Sequence, residues 1–157
     1  MPLLRYTITI PAPIGERFEP MLAAIAEKLG TLMNALAEHV KADKLSGQVL
    51  KARTGRLAGS VAPDPVQVSG TTVVSGVRAG GAEAFYAPFH EFGGSRGYTI
   101  VPVDKRALAF DWNGMRYIRE QVFRKPLPAR PYMAPSLEEM TPGIVDGIRE
   151  AVMSAFE

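Results

Sequence analysis

The segment FYAPFHEFGGSRG, residues 85–97, holds the residue types best able to do chemistry in this chain. His90 adjoins Glu91, and an imidazole beside a carboxylate is half of an acid–base pair or of a metal site. A zinc-protease helix needs a second histidine four positions after the first, where this chain has Gly94. The other histidine, His39, falls at the edge of a helical apolar stripe and reads as a flanking residue. The absence of cysteine excludes disulfides, thiolate metal sites and a cysteine nucleophile. Gly93-Gly94-Ser95-Arg96-Gly97 lacks the lysine–hydroxyl pair of a phosphate-binding loop, and Gly59-Ser60-Val61 lacks the second glycine of a nucleophile elbow. These residues predict no enzyme, no cofactor and no metal site. They leave open a turn of backbone that another subunit grips.

The basic residues cluster, with Lys51, Arg53 and Arg56 in one place and Arg116, Arg119, Arg124 and Lys125 in another. From Leu137 onward, five acidic residues face one basic residue. The overall charge of +2 is too small to imply nucleic acid by itself. Three readings fit: solvated faces, an acidic helix end meeting a basic strand edge on the next copy, or phosphate contacts. The last is weakened because aromatic residues are not interleaved with the basic ones for stacking.

The elements that must position these residues come from periodicity. At 157 residues, the chain is the size of one domain that buries a core without staples. No apolar run approaches the ~20 residues of a membrane helix, and Arg5 and Thr7 interrupt what would be a signal core. Tyr6, Ile8 and Ile10 alternate as a short strand before the PAPIG break. Over residues 20–41, Leu22, Ile25, Ala26, Leu29, Leu32, Met33, Leu36 and Val40 form one helical stripe, with Pro20 in its first turn and Gly30 weakening its middle. Residues 66–77 predict two strands joined at Ser69-Gly70. Asn113-Gly114 predicts a two-residue hairpin turn pairing Trp112 with Met115, Asp111 with Arg116 and Phe110 with Tyr117. Ser136-Leu137-Glu138-Glu139 reads as a capping box opening a last helix, which Thr141-Pro142 kinks or restarts. Ile144, Val145, Ile148, Val152, Ala155 and Phe156 form its stripe. The expectation is a single α+β domain, an antiparallel sheet with hairpins packed against two amphipathic helices. Residues 1–44 would hold the first strand and helix, 45–135 mainly strands and loops, and 136–157 the last helix.

Three stretches in order carry a family resemblance. They are Thr54-Gly55-Arg56-Leu57 with Ser60-Val61, Tyr86-Ala87-Pro88 with Glu91-Phe92-Gly93, and Pro128-Ala129-Arg130-Pro131-Tyr132-Met133. Together with Ile100-Val101-Pro102 and Ala107-Leu108-Ala109-Phe110, they resemble the tail-completion and head–tail joining proteins of tailed bacteriophages, from about residue 45 to the C-terminus. This chain departs from the pattern in having Gly94-Ser95 after Glu-Phe-Gly, and its first strand has no counterpart. The resemblance implies a structural virion subunit, assembled in the host bacterial cytoplasm. It implies a self-associated ring, commonly hexameric, at the capsid–tail junction or tail end. The implied partners are head–tail connector and tail-tube proteins, with a route for DNA through the ring and no membrane. A basic nucleic-acid-binding module, or the terminator or connector of a gene-transfer particle, is the alternative.

On that reading Thr54, Gly55, Arg56, Leu57, Tyr86, Glu91, Phe92, Gly93, Arg130, Pro131 and Tyr132 are the candidate interface residues. Gly55 and Gly93 would allow sharp turns or close backbone approach. Tyr86, Phe89 and Phe92 would pack on the sheet and present Glu91, which would accept hydrogen bonds from Arg56 or Arg130. Pro126, Pro128, Pro131 and Pro135 would stiffen the entry to the last helix. Residues 93–97 would be mobile until a neighbour orders them.

Overall fold

The computed structural model describes residues 3–9, 18–94 and 96–156. Strand β1 (Leu3–Thr9) leads to helix α1 (Phe18–His39), whose last turn widens into a π-turn at Val40–Lys44. A short helix α2 (Arg56–Gly59) follows, then β2 (Ala62–Pro63), β3 (Gln67–Ser69) and β4 (Thr72–Arg78). After a 3₁₀ turn at Ala82–Ala84 come α3 (Ala87–Phe92), β5 (Tyr98–Ile100), β6 (Leu108–Trp112), β7 (Met115–Arg119), β8 (Val122–Arg124) and α4 (Ala134–Ser154). The α+β expectation holds, with both long helices where the periodicity put them.

The first sheet is built around β4. Strand β1 lines one of its edges antiparallel over the full length, from Leu3 opposite Arg78 to Thr9 opposite Thr72. The other edge is shared end to end by β2 and β3. The turn at Gly70 has the positive φ (56°) that a tight connection needs. Leu4, Tyr6 and Ile8 alternate onto the core side of β1, as their period of two requires; Ile10 and the PAPIG break lie outside the described residues. The helix α1 buries Met21, Leu22, Ile25, Leu29, Met33 and Leu36 against Val73 and Val77 of this sheet and against α4. Gly30 finds its packing reason here: a Cβ at that position would come within 3.2 Å of Val66 Cγ2.

The last helix runs antiparallel to α1, since its Glu139 end meets His39 and Lys44 and its Glu150 end meets Lys28. It differs from expectation in three ways. The helix begins at Ala134, so Ser136 lies inside it and donates its hydroxyl hydrogen to the Tyr132 carbonyl (2.8 Å) rather than capping. It continues through Pro142, so no second helix starts there. Its stripe is narrower: Ile144 is buried and Ile148, Val152 and Ala155 pack against the core, while Val145 and Phe156 are exposed. Gly147 lets α1 approach, since a Cβ there would lie 2.9 Å from Lys28 Cε and 3.2 Å from Leu32 Cδ1.

The hairpin forms in the expected register, Trp112 opposite Met115, Asp111 opposite Arg116 and Phe110 opposite Tyr117, with both turn residues at positive φ. The expectation that hairpins pack against the helices does not extend to it. Strands β6 and β7 form a ribbon by themselves, and β5 with β8 forms another. A long α1–α4 pair and the β4-centred sheet bury the core; the two ribbons stand outside it.

Two glycines test this packing in opposite directions. A methyl at Gly76 would run into the Leu4 carbonyl of the neighbouring strand, so Gly76→Ala should lower stability by about 3 kcal/mol. A methyl at Gly143 of α4 meets open space, so Gly143→Ala should raise stability by about 0.5–1 kcal/mol. Urea unfolding of both variants checks the pair.

Candidate functional site

The segment that opened the sequence folds around Glu91. Helical spacing puts Ala84, Ala87 and Glu91 on the inner face and Phe85, Phe89 and Phe92 on the outer one. Glu91 is therefore buried, at 6 % exposure. Its Oε2 accepts the backbone N–H groups of Tyr132 (2.9 Å) and Met133 (3.0 Å), and its Oε1 accepts that of Ala134 (3.0 Å). These are donors at the start of α4, a place where N–H groups have no intrahelical partner. Met133, the residue flanking the helix, supplies no side-chain cap. Glu91 supplies it from 41 residues earlier, and its negative charge also suits the positive end of the helix dipole.

Backbone bonds reinforce the junction. The Arg130 N–H donates to the His90 carbonyl (2.7 Å), and the Gly94 N–H donates to the Leu127 carbonyl (2.8 Å). Gly93 sits at φ 75°, and a Cβ there would lie 2.9 Å from the Leu127 oxygen and the Ala129 nitrogen. Only glycine meets both demands. Gly93 and Gly94 are thus packed against residues 127–129; Ser95 lies outside the described residues.

The expected arginine partners of Glu91 are corrected by this geometry. Arg130 contributes only its backbone N–H, to His90, and the Arg56 guanidinium lies 3.7 Å from Glu83. Three backbone donors already occupy the carboxylate, and a buried guanidinium would carry a desolvation cost that they avoid. The aromatic turn is likewise inverted: Phe89 and Phe92 face solvent and the carboxylate faces inward.

Above this junction opens a cleft of about 990 Å³. Thr54, Gly55, Arg56 and Leu57 from the first motif line it, with Tyr86 and His90 from the second and Arg130 from the third. Gly55 takes φ 71° to start α2, and Leu57 turns partly into the core. Glu91 and Tyr132 lie beneath the cleft rather than in it, and Phe92, Gly93 and Pro131 are also outside its lining. The three motifs converge, as expected, but as a junction with a cleft over it.

Burial first, and then the Arg130 charge, pull the His90 imidazole below its ordinary value. The Tyr86 and His90 rings meet edge to face at 5.6 Å, and His90 Nδ1 is buried with no hydrogen-bond partner among the described residues. Tyr132 is fully buried, and its phenol is pushed above the ordinary value by burial first, then by the Glu91 and Tyr86 charges. Since Glu91 is committed to α4, His90 has no carboxylate to work with, and the lining of the cleft includes no Asp or Glu. Its cations can hold an anion; the histidine–glutamate pair does not form an acid–base couple. Among the described residues no group of three His, Cys, Asp or Glu side chains is placed to hold a metal ion.

One cluster escaped the sequence reading. His39 places Nδ1 2.6 Å from Asp43 and Nε2 2.9 Å from Glu139, and Lys44 Nζ lies 2.6 Å from the same Glu139. Lys44 first, and His39 next, hold the Glu139 carboxyl below the usual carboxylate range. The i,i+4 spacing of His39 and Asp43 was a readable signal; the Glu139 partner was not.

Two outcomes follow from this geometry. Glu91→Ala strands three N–H donors and should cost about 3 kcal/mol, whereas Arg130→Ala removes an exposed guanidinium and should cost less than about 1 kcal/mol; denaturant unfolding checks both. The folded chain resists protonating His90, so the unfolded chain gains the proton first as pH falls through the ordinary 6.5. Stability should therefore drop between neutral and mildly acidic pH, and His90→Gln should flatten that part of a Tm-versus-pH curve.

No family model matches this chain, and neither a curated protein nor a solved structure matches it.

Proposed function

We propose that this chain is a structural subunit of a tailed-bacteriophage virion, or of a gene-transfer particle built from the same parts. In this reading it assembles copy against copy into a ring at the head–tail junction or tail end, and it is not an enzyme. The resemblance of its three motifs to tail-completion and head–tail joining proteins supports the reading. Among the described residues no helix is long and apolar enough to cross a membrane.

The observation that carries the proposal is the arm formed by residues 96–125. None of its residues is buried, yet it exposes Tyr98, Ile100, Val101, Val103, Phe110, Trp112, Met115, Ile118 and Phe123. Val103 is 93 % exposed and Trp112 60 %. Scattered exposed apolar residues are ordinary, but nine large ones in thirty residues with none buried mark a surface suited to a partner. A two-stranded ribbon alone is marginal in water, and each ribbon here has unpaired edges suited to strand addition.

The occupant this arm fits is a second copy. The arm has seven basic residues to three acidic ones, whereas α1 and α4 together have seven carboxylates to two lysine or arginine residues. A basic patch meeting a different, acidic patch is a heterologous contact, the kind that closes into rings.

Trp112 is the only tryptophan and reports on this contact. In dilute protein it should emit as a solvent-exposed indole and be quenched readily by iodide. On assembly its emission should shift to the blue and quenching should fall. Met115→Asp with Ile118→Asp should prevent rings in electron micrographs while leaving Tm nearly unchanged, since both side chains are exposed. A wild-type chain that stays monomeric in light scattering at high concentration, alone and with tail-tube partners, would defeat the proposal.

A further inference from the structure

The cleft over the Glu91 junction has a chemistry that the proposed contact through the arm does not require. Lys51, Arg53, Arg56 and Arg130 line it, drawn from two segments on opposite sides. Of these four, only Arg56 has a carboxylate within ion-pair distance among the described residues, Glu83 at 3.7 Å, and both of those side chains are largely exposed. The cations are held by a firm frame. Leu50 is buried just before Lys51, Leu57 packs on the core just after Arg56, and the Arg130 backbone is bonded to His90. Like charges gathered on a fixed frame, with no acidic residue among the lining, repel one another and await an anion.

Few carboxylates of a second copy are free to supply that anion. Outside the helices only Asp104, Asp111 and Glu120 of the arm lack a basic partner among the described residues. Glu38, Asp43, Asp64, Glu139, Asp146 and Glu150 are each engaged by a basic side chain of their own subunit. Glu91 is buried in the cap. The helices retain only Glu19, Glu27 and Glu138 without such a partner among the described residues, fewer than the cations of the arm that would meet them.

We infer that this cleft is a binding track for the phosphate backbone of duplex nucleic acid, held by charge and indifferent to base sequence. Arginine forks chelate phosphate oxygens, and three cations of residues 51–56 with Arg130 from a second segment give several contacts to a backbone that presents charge at regular intervals. Unstacked bases have no platform here. Tyr86, the one phenol in the lining, meets Phe85 at 5.8 Å and His90 at 5.6 Å, both edge to face. The cleft belongs to the single subunit, so the inference does not depend on ring formation.

Fluorescence anisotropy of a short fluorescein-labelled duplex of mixed sequence tests it, with the intact chain. Affinity should fall steeply with salt, with a log–log slope of about −3 for three to four phosphates engaged. The variant K51Q/R53Q/R130Q should bind at least about tenfold more weakly and show a slope shallower by about 2. All three residues are exposed, so its circular dichroism should match the wild type; Arg53→Gln alone, in a loop, should show a smaller loss in the same direction. A duplex of unrelated sequence should bind equally. The inference fails if the cleft variants bind like wild type, or if R116Q/R119Q/R124Q in the arm abolishes binding by itself. It fails equally if polyglutamate of matched charge, or a mononucleotide, displaces the duplex at comparable concentration.

Discussion

The fold turns on one buried carboxylate. Glu91 satisfies three N–H groups at the head of α4, and nothing closer in sequence performs that task. A helix end buried without partners is costly, and here the helix end abuts the fully buried Tyr132 and Met133. With the cap in place, α4 starts at a fixed point and angle. That angle lets Ile144 and Gly147 lie against α1, which in turn is held by the β4-centred sheet. The same bond draws α3 onto residues 130–134, so Arg130 takes its position on the wall of the cleft. Core packing and cleft geometry thus share one electrostatic anchor.

Stability is distributed unevenly as a result. The two long helices, the first sheet and the segments that join them hold the buried core cluster, while residues 96–125 hold no buried residue. A region with few buried contacts and solvent-exposed backbone bonds opens at low free energy. The arm is in that class by composition of contacts rather than by sequence, since its valines, isoleucines and aromatics are those of a good strand core. Such residues left outside are informative because their natural place is against something.

How much of this the sequence showed depends on the range of the interaction. The Asn113-Gly114 hairpin was legible to the residue because turn chemistry and cross-strand pairing act locally. The α1 stripe was legible for the same reason, through a period of 3.6. The start of α4 was not. Ser136 followed by Glu139 satisfies the local capping pattern, but the real cap comes from Glu91, and no local pattern reports a bond across 41 residues. The same limit hid the Glu139 partner of His39, and the two-residue strand β2, which exists only because β4 lies beside it. The motifs did report that residues 54–57, 86–93 and 128–133 gather in one place. The partners of Glu91 are not legible in the same way, because the backbone N–H groups it holds are invisible in a list of residue types.

The arm and the anchor are joined in a way that bears on assembly. The arm leaves the core at Gly93-Gly94 and returns at residues 127–129, and these two strands of chain are bonded to each other through Gly94 and Leu127. Three to four residues further in, Arg130 and His90 are bonded again. The base of the arm is therefore closed by the same junction that caps α4, so the loop-closure entropy is met by interactions of the folded subunit rather than by its neighbour. What remains to be ordered is the arm beyond that base. A contact made at the ribbons can then fix the arm without reshaping the core, because the junction stands between them and its three backbone donors to Glu91 are already matched. A subunit built this way can fold first and mate afterwards, which is the order that the proposed ring would require.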